Sequence, residues 1–344
     1  MIARFRSWWK NTSKTLDAVI IISLVILLVL LVLIILGYIF NWPWTGLHGK
    51  TLYDWLQLLI IPAVLAVGGY LFNYTTSRNE QKTTQLRDQT ERDIASDNQR
   101  EAALQEYIDK MSELLLEKKL RESGQGDEVR KIARVRTLTV LPRLDPKRKG
   151  SVLLFLSESR LINIDDPIID LSRADLSSVQ LYKPWLNEVN LQETNLSEAD
   201  LYEADLLGAN LSKTDLYEAH LVGATLYGVS LRGANLLRAD IHRAYLGEAD
   251  LIEAELSEAD LQRTDLVGAD LSRATMRAVN LSGADLRKAN LQEAILLGAN
   301  LQEAKLADAD LSETTLYKAK ILPEQLEQAK SLKGATMPDG TIHA

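Results

Sequence analysis

Residues 199–218 read ADLYE ADLLG ANLSK TDLYE, a unit of five that recurs in one unbroken phase from Asp170 to Lys320. Leu fills every fifth position, Leu171, Leu176, Leu181 and onward to Leu316. Only Ile241 and Met276 replace it, and Ile321 takes the next slot. Two residues before each, from Leu176 on, stands a small side chain, mostly Ala and otherwise Thr or Val, with Pro184 the one oddity. The residue directly before each Leu is most often Asp or Asn. A period of five fits neither the 3.6 of a helix nor the 2.0 of a strand. A fixed short repeat predicts a solenoid, in which each unit buries its apolar face only against its neighbours.

The pattern A(D/N)LXX, held over about thirty units and roughly 150 of the 344 residues, resembles the pentapeptide-repeat family. That resemblance implies an all-β, right-handed quadrilateral β-helix, five residues to a side and twenty to a coil. In it the Leu and the small residue point inward. The residues agree: these two positions are apolar or small, while the other three carry Glu, Lys, Arg, Ser, Tyr and Gly. At about 4.8 Å per coil, seven to eight coils make a rod about 36 Å long.

Residues twenty apart then stack. Asp240 should lie over Asp260, Asp250 over Asp270 and Asp265 over Asp285. The same arithmetic sets Glu193 over Lys213 and orders Glu253, Arg273, Glu293 and Glu218, Arg238, Glu258 in columns. Stacked carboxylates admit two readings. One is a cation-binding ladder. The other, which the residue types favour, is that Asp and Asn bond the turn backbone beside them.

The chain has no Cys, which excludes disulfides, cysteine zinc sites and thiol chemistry. Its net charge of −8 is unevenly spread: +3 over 1–74, zero over 75–170, −10 over 171–320 and −1 over 321–344. Ala18 to Phe40 is 23 residues without a charge, about 34 Å as a helix and enough to cross a bilayer. Leu52 to Tyr74 predicts a weaker second span, interrupted by Pro62 and Gly68-Gly69. Arg4, Arg6, Lys10 and Lys14 precede the first span and Arg78, Lys82, Arg87 and Arg92 follow the second. The loop between holds only Lys50. The positive-inside rule places both termini in the cytoplasm.

Thr75 to Arg121 lacks Pro and Gly and predicts a long exposed helix. Its stripe of Leu104, Ile108, Met111 and Leu115 predicts packing against the next two helices, or alternatively self-association. Those two helices are expected over about Asp127–Leu141 and Pro146–Leu161, with Pro146 as a first helical residue. Arg130, Lys131, Arg134, Arg136, Arg143, Lys147, Arg148 and Lys149 make this piece basic. The plain reading is a solvated face on a module that caps the solenoid. Anionic lipid at Arg130, Lys131, Arg134, Arg136, Lys147, Arg148 and Lys149 is the first functional alternative; an acidic protein partner or the chain's own acidic rod is the second, and nucleic acid is disfavoured. Trp185, in the pattern-breaking Lys183-Pro184-Trp185, is expected to pack on these helices. Pro323 to Lys330 predicts a capping helix.

The organisation expected is an anchor (1–74), a helical neck (75–169), the repeat solenoid (170–320) and a cap (321–344). The neck also resembles that of bacterial pentapeptide-repeat membrane proteins found in photosynthetic bacteria, which implies a plasma or internal photosynthetic membrane. None of His48, His220, His242 and His343 sits in a metal-ligand or nucleophile motif, and no phosphate loop is present. No catalytic, cofactor-binding or metal-binding residue is therefore assigned. The expected function is a membrane-tethered, non-enzymatic scaffold presenting the rod to a cytoplasmic protein. The family resemblance supplies the alternative of an acidic DNA-mimic rod that binds a topoisomerase.

Overall fold

The computed structural model describes residues 52–344 and, ahead of them, 25, 28, 29, 31–33, 35–37, 39 and 40. Side chains at 52, 53, 55, 56, 58, 59, 61 and 62 lie outside that description. Among the described residues no helix is long and apolar enough to cross a membrane. The two-span expectation gains no support from them. Most of Ala18–Phe40, the connecting loop and several side chains of Leu52–Tyr74 fall outside the described residues. The chain divides into two units, Met1–Glu91 and Arg92–Ala344.

Helix α1, Leu52–Leu116, starts well before Thr75. It stops where Lys119 turns into the left-handed region at φ 52°. Helices α2 (Glu128–Val140) and α3 (Pro146–Glu158) follow. Asp145 caps α3: its Oδ1 accepts the Lys147 and Arg148 N–H groups at 3.1 Å, and Pro146 opens the helix with no N–H to satisfy. The end of α1 buries Ala103, Tyr107 and Met111, with Leu104, Ile108 and Leu115 half-buried beside them. Tyr107 meets the Phe155 ring edge-on at 6.3 Å and shares a 2.9 Å hydrogen bond with Thr137. The apolar stripe is thus covered by α2 and α3, as the packing expectation had it.

From Asp175 onward, residue n pairs in parallel with residue n+20: Asp175 with Asn195, Gln180 with Asp200, Trp185 with Asp205, Asn190 with Asn210. Four such pairs per coil give the four sides. Among the described residues these are single bridges, so the all-β expectation is corrected to a β-helix without extended strands. The reason is local. Every fifth residue from Arg173 to Lys318 has φ near +50 to +70°, and that reversal ends each side before a ladder can lengthen. Positive φ at only the second central residue defines a type II turn. Leu201 O, for instance, accepts the Ala204 N–H at 3.0 Å across it.

The backbone donors can be counted through one unit. In 196–200, the Leu196 N–H reaches Asp215 O, the Glu198 N–H Tyr217 O, the Ala199 N–H Leu196 O and the Asp200 N–H Val179 O. The fifth, on Ser197, is taken by Asn195 Oδ1 at 3.0 Å. The Asp or Asn before each Leu thus holds the one N–H that no coil neighbour satisfies; Tyr202 on Asp200, Val267 on Asp265 and Ser312 on Asp310 repeat it. Inside, the Leu and Ala columns are buried in every coil. The few inward Thr are satisfied: Thr214 and Thr314 donate to Leu191 O and Leu291 O.

Both ends are closed. Gly150 of α3 lies so near the first coil that a Cβ there would sit 2.7 Å from Gln180 O. At the far end α4, Pro323–Leu326, is shorter than the Pro323–Lys330 expected. Its buried Gln325 donates to Leu301 O and Ala304 O at 2.8 and 2.7 Å, and the second of these is the carbonyl to which the next coil's backbone N–H would have donated. One inserted residue then shifts the pairing, so that Asp310 meets Ser331 and Thr315 meets Thr336.

Candidate functional site

With the interior filled, the chemistry of the rod lies on its faces. The charge columns form as the twenty-residue arithmetic requires. Lys213 lies 4.0 Å from Glu193, Arg238 is 3.6 and 2.7 Å from Glu218 and Glu258, and Arg273 is 3.8 and 3.2 Å from Glu253 and Glu293. Exposed pairs of this kind contribute about 0–1 kcal/mol each, so they align coils more than they stabilise them.

The stacked carboxylates also form, with Asp240 paired to Asp260, Asp250 to Asp270 and Asp265 to Asp285. Their oxygens are engaged in turn bonds. Asp270 Oδ1 accepts Ser272 N and Asn290 Nδ2, both at 3.0 Å. Among the described residues, ligand-type atoms come together at Asp240, His242 and Asp260, within 4.8 Å of one another. Asp240 Oδ1 lies 2.6 Å from His242 Nδ1, and Asp260 Oδ1 accepts Gln262 N and Asn280 Nδ2. These contacts are ordinary turn and column bonds. Of the other histidines, His220 lies on the column beneath Asp240 and His343 in the tail; His48 lies outside the described residues.

For four of the seven neck cations, the lipid expectation is corrected. Arg130, 9% exposed, is bonded to both Asp166 oxygens at 3.0 and 3.1 Å. Arg134 holds Asp170 and Ser172 O. Arg148 bonds Asp97, Glu101 and Asp145. Lys149, 6% exposed, reaches Asp175 at 3.1 Å and Ser177 O. These groups tie α2 and α3 to the first coil and to α1, and a cation so committed is not presented to headgroups. Bonding to Arg130 holds the Asp166 carboxyl below its usual range, and bonding to Arg148 does the same for Asp97. Lys131, Arg136 and Lys147 remain exposed.

The surface feature that the sequence reading missed is aromatic. Every large apolar side chain exposed between Leu171 and Leu316 is one of Tyr182, Trp185, Tyr202, Leu207, Tyr227 and Tyr245. Modulo twenty these are positions 2, 5 and 7, a single quarter of the coil, and all belong to the first four coils. Trp185 does not pack on the helices. It is 77% exposed, because the residue before each Leu points outward. The Tyr182 and Tyr202 rings stack at 5.9 Å. Beside Trp185 is a cleft of about 370 Å³ lined also by Ser157, Glu158, Arg160, Asn163, Asn187 and Glu188. Asn187 donates from Nδ2 to Asp205 at 3.0 Å, while its buried Oδ1 has no partner. Part of the signal was available: sorting the sequence by position in the coil brings these residues together, although it also collects Tyr217, Leu237, Leu297 and Tyr317 on another side.

The sequence profile of pentapeptide repeats, itself eight copies long, matches four times, over 186–221, 219–257, 254–292 and 284–321. Among solved structures, the chain is similar to HetL, a pentapeptide-repeat protein involved in heterocyst differentiation regulation in the cyanobacterium Nostoc. Identity is 39% over 50% of this chain and 86% of that one, at a TM-score of 0.21. It is similar also to a pentapeptide-repeat protein of the Arabidopsis thaliana thylakoid lumen, 27% identical over 36% of this chain and 86% of that one, at 0.33. A third is QnrB1, a plasmid-mediated fluoroquinolone resistance protein, 16% identical over 48% and 79%, at 0.21. No curated protein matches. The chain belongs to the pentapeptide-repeat family.

Proposed function

We propose that this protein is a membrane-anchored, non-enzymatic scaffold whose rod presents fixed faces to a cytoplasmic protein partner, in the plasma membrane or an internal photosynthetic membrane of a bacterium. The observation that carries the reading is the filled interior. With the Leu and Ala columns buried in every coil, a ligand has only the outside of the rod to meet. Those outer residues are held in register by backbone bonds between all coils. A surface so rigid suits recognition, since little ordering entropy is lost on binding. Anchoring is supported by the uncharged run Ala18–Phe40 and by the arginine and lysine asymmetry around it. The DNA-mimic alternative is less well supported, because Arg238 and Arg273 interrupt the acidic columns.

Single cysteines at Lys50 and Ser331 test the topology with an impermeant thiol reagent in intact cells. Lys50→Cys is expected to label and Ser331→Cys to label only after lysis. The reverse pattern overturns the orientation, and recovery of the protein in the soluble fraction overturns the anchor.

A further inference from the structure

We propose that the aromatic quarter of the first four coils, with the cleft beside Trp185, is a docking site for an extended, arginine-bearing segment of a protein partner. The proposal rests on the scaffold reading and names the partner's chemistry.

Confinement is the first argument. Scattered apolar side chains are ordinary on any surface. Here six of the seven large ones exposed in the repeat occupy one quarter of one half of the rod; the seventh, Tyr317, lies in its last units. Four of the six are Tyr and one is Trp, types enriched at recognition centres.

Charge supplies the second. Positions 0 to 8 of the same coils, the quarter with its two flanks, carry Glu188, Asp200, Glu203, Asp205, Asp240 and Glu248. Their cations are Lys183, held by Glu203 at 2.5 Å and lying over the Tyr182 ring, and the exposed Arg243, so acids outnumber cations six to two. In the cleft, neither Glu158 nor Glu188 has an ion-pair partner among the described residues, and the Asn187 Oδ1 acceptor is unmet. Arg160 is the single cation lining it. The site therefore offers ring faces and more acceptors than cationic donors.

A guanidinium answers all three needs. It stacks on an aromatic plane, forks onto a carboxylate and has five donors to spend, whereas an ammonium is compact and holds its water more tightly. Dimensions fit a short segment. Trp185 and Tyr245 are three coils apart, about 14 Å, the span of about four extended residues.

The test uses full-length protein and a fluorescein-labelled octapeptide alternating arginine and serine, titrated by anisotropy at physiological salt. Comparators are the lysine–serine and glutamate–serine peptides and free spermine. The arginine peptide is expected to bind. Trp185→Ala with Tyr202→Ala should weaken it about tenfold; both side chains are exposed enough that the thermal melt should not move. Glu253→Gln with Glu293→Gln, on a different column, should change it less than twofold. The lysine peptide is expected to be several-fold weaker.

No binding of the arginine peptide overturns the proposal. So does an equal loss from the two double variants, or spermine competing as well as the peptide, since either means diffuse attraction to an acidic rod. A partner crosslinked to another face in native membranes would remove this site and leave the scaffold reading standing.

Discussion

Leu266→Ala tests the burial phase of the whole repeat. Leu266 is fully buried, with Leu246 and Leu286 one coil to either side. Its backbone bonds, N–H to Asp285 O at 2.8 Å and C=O from Ala269 N at 3.1 Å, survive the substitution. Only packing changes. Three carbons leave the core, which costs about 2.5 kcal/mol by transfer alone. The cavity adds to this, because a coil bonded above and below cannot collapse, so about 3–4 kcal/mol is expected. Leu266→Asp goes further, placing a carboxylate in a dry column that it can enter only neutral or by opening a coil. Val267 is half-buried, less open than its outward phase implied, and its N–H is held by Asp265 Oδ1 at 3.1 Å. Val267→Asp should cost no more than about 1 kcal/mol.

The assay is paired thermal melts of the 92–344 unit, read with hydrogen exchange. A loss of about 3 kcal/mol should lower the midpoint by roughly 6–12 °C. Because coils contact only their neighbours, exchange should rise mainly over 240–290. If Val267→Asp proves as damaging as Leu266→Ala, the assigned phase is wrong for every coil.

Ala278 sits at φ 52° without a side-chain partner. Ala278→Gly should therefore stabilise by about 0.5 kcal/mol in urea melts, the strain relieved exceeding the entropy lost. Gly150→Ala should destabilise by about 1–3 kcal/mol and loosen exchange in the first coil, since its Cβ would meet Gln180 O at 2.7 Å and Leu181 Cδ2 at 2.9 Å. The Arg130–Asp166 clamp predicts an acid effect. Asp166 has a depressed native pKa, so its contribution is complete above the unfolded value of about 3.9 and is lost as pH falls through the lower native one. Hydrogen exchange over 120–170 should stay protected at pH 5 and open below about pH 4, and Arg130→Met should abolish the difference.

The repeat was legible because burial there is set by period alone; Leu266 and Ala269 need no distant partner to be placed. Stacking at n+20 followed from it, and so did the Arg238 and Arg273 columns. The positive φ at Glu253 or Arg273 went unread, although within the repeat Gly stands at that same position in every case but Gly247. Neck contacts were hidden for a different reason. Nothing local in Arg130 or Arg148 points to Asp166 or Asp97, 36 and 51 residues away. A run of cations therefore reads as a solvated face, with lipid as one alternative. Trp185 was misplaced by treating a bulky side chain as core when its position in the unit points outward.

Photocrosslinking in native membranes bears most directly on the scaffold claim. A photoreactive residue is placed at Tyr202 or Tyr227 in one quarter of the rod, and at Arg232 or Ser272 in another. A fixed-face scaffold predicts adducts to one discrete protein from a single quarter. Adducts spread evenly around the coil, or none from any quarter, would contradict it.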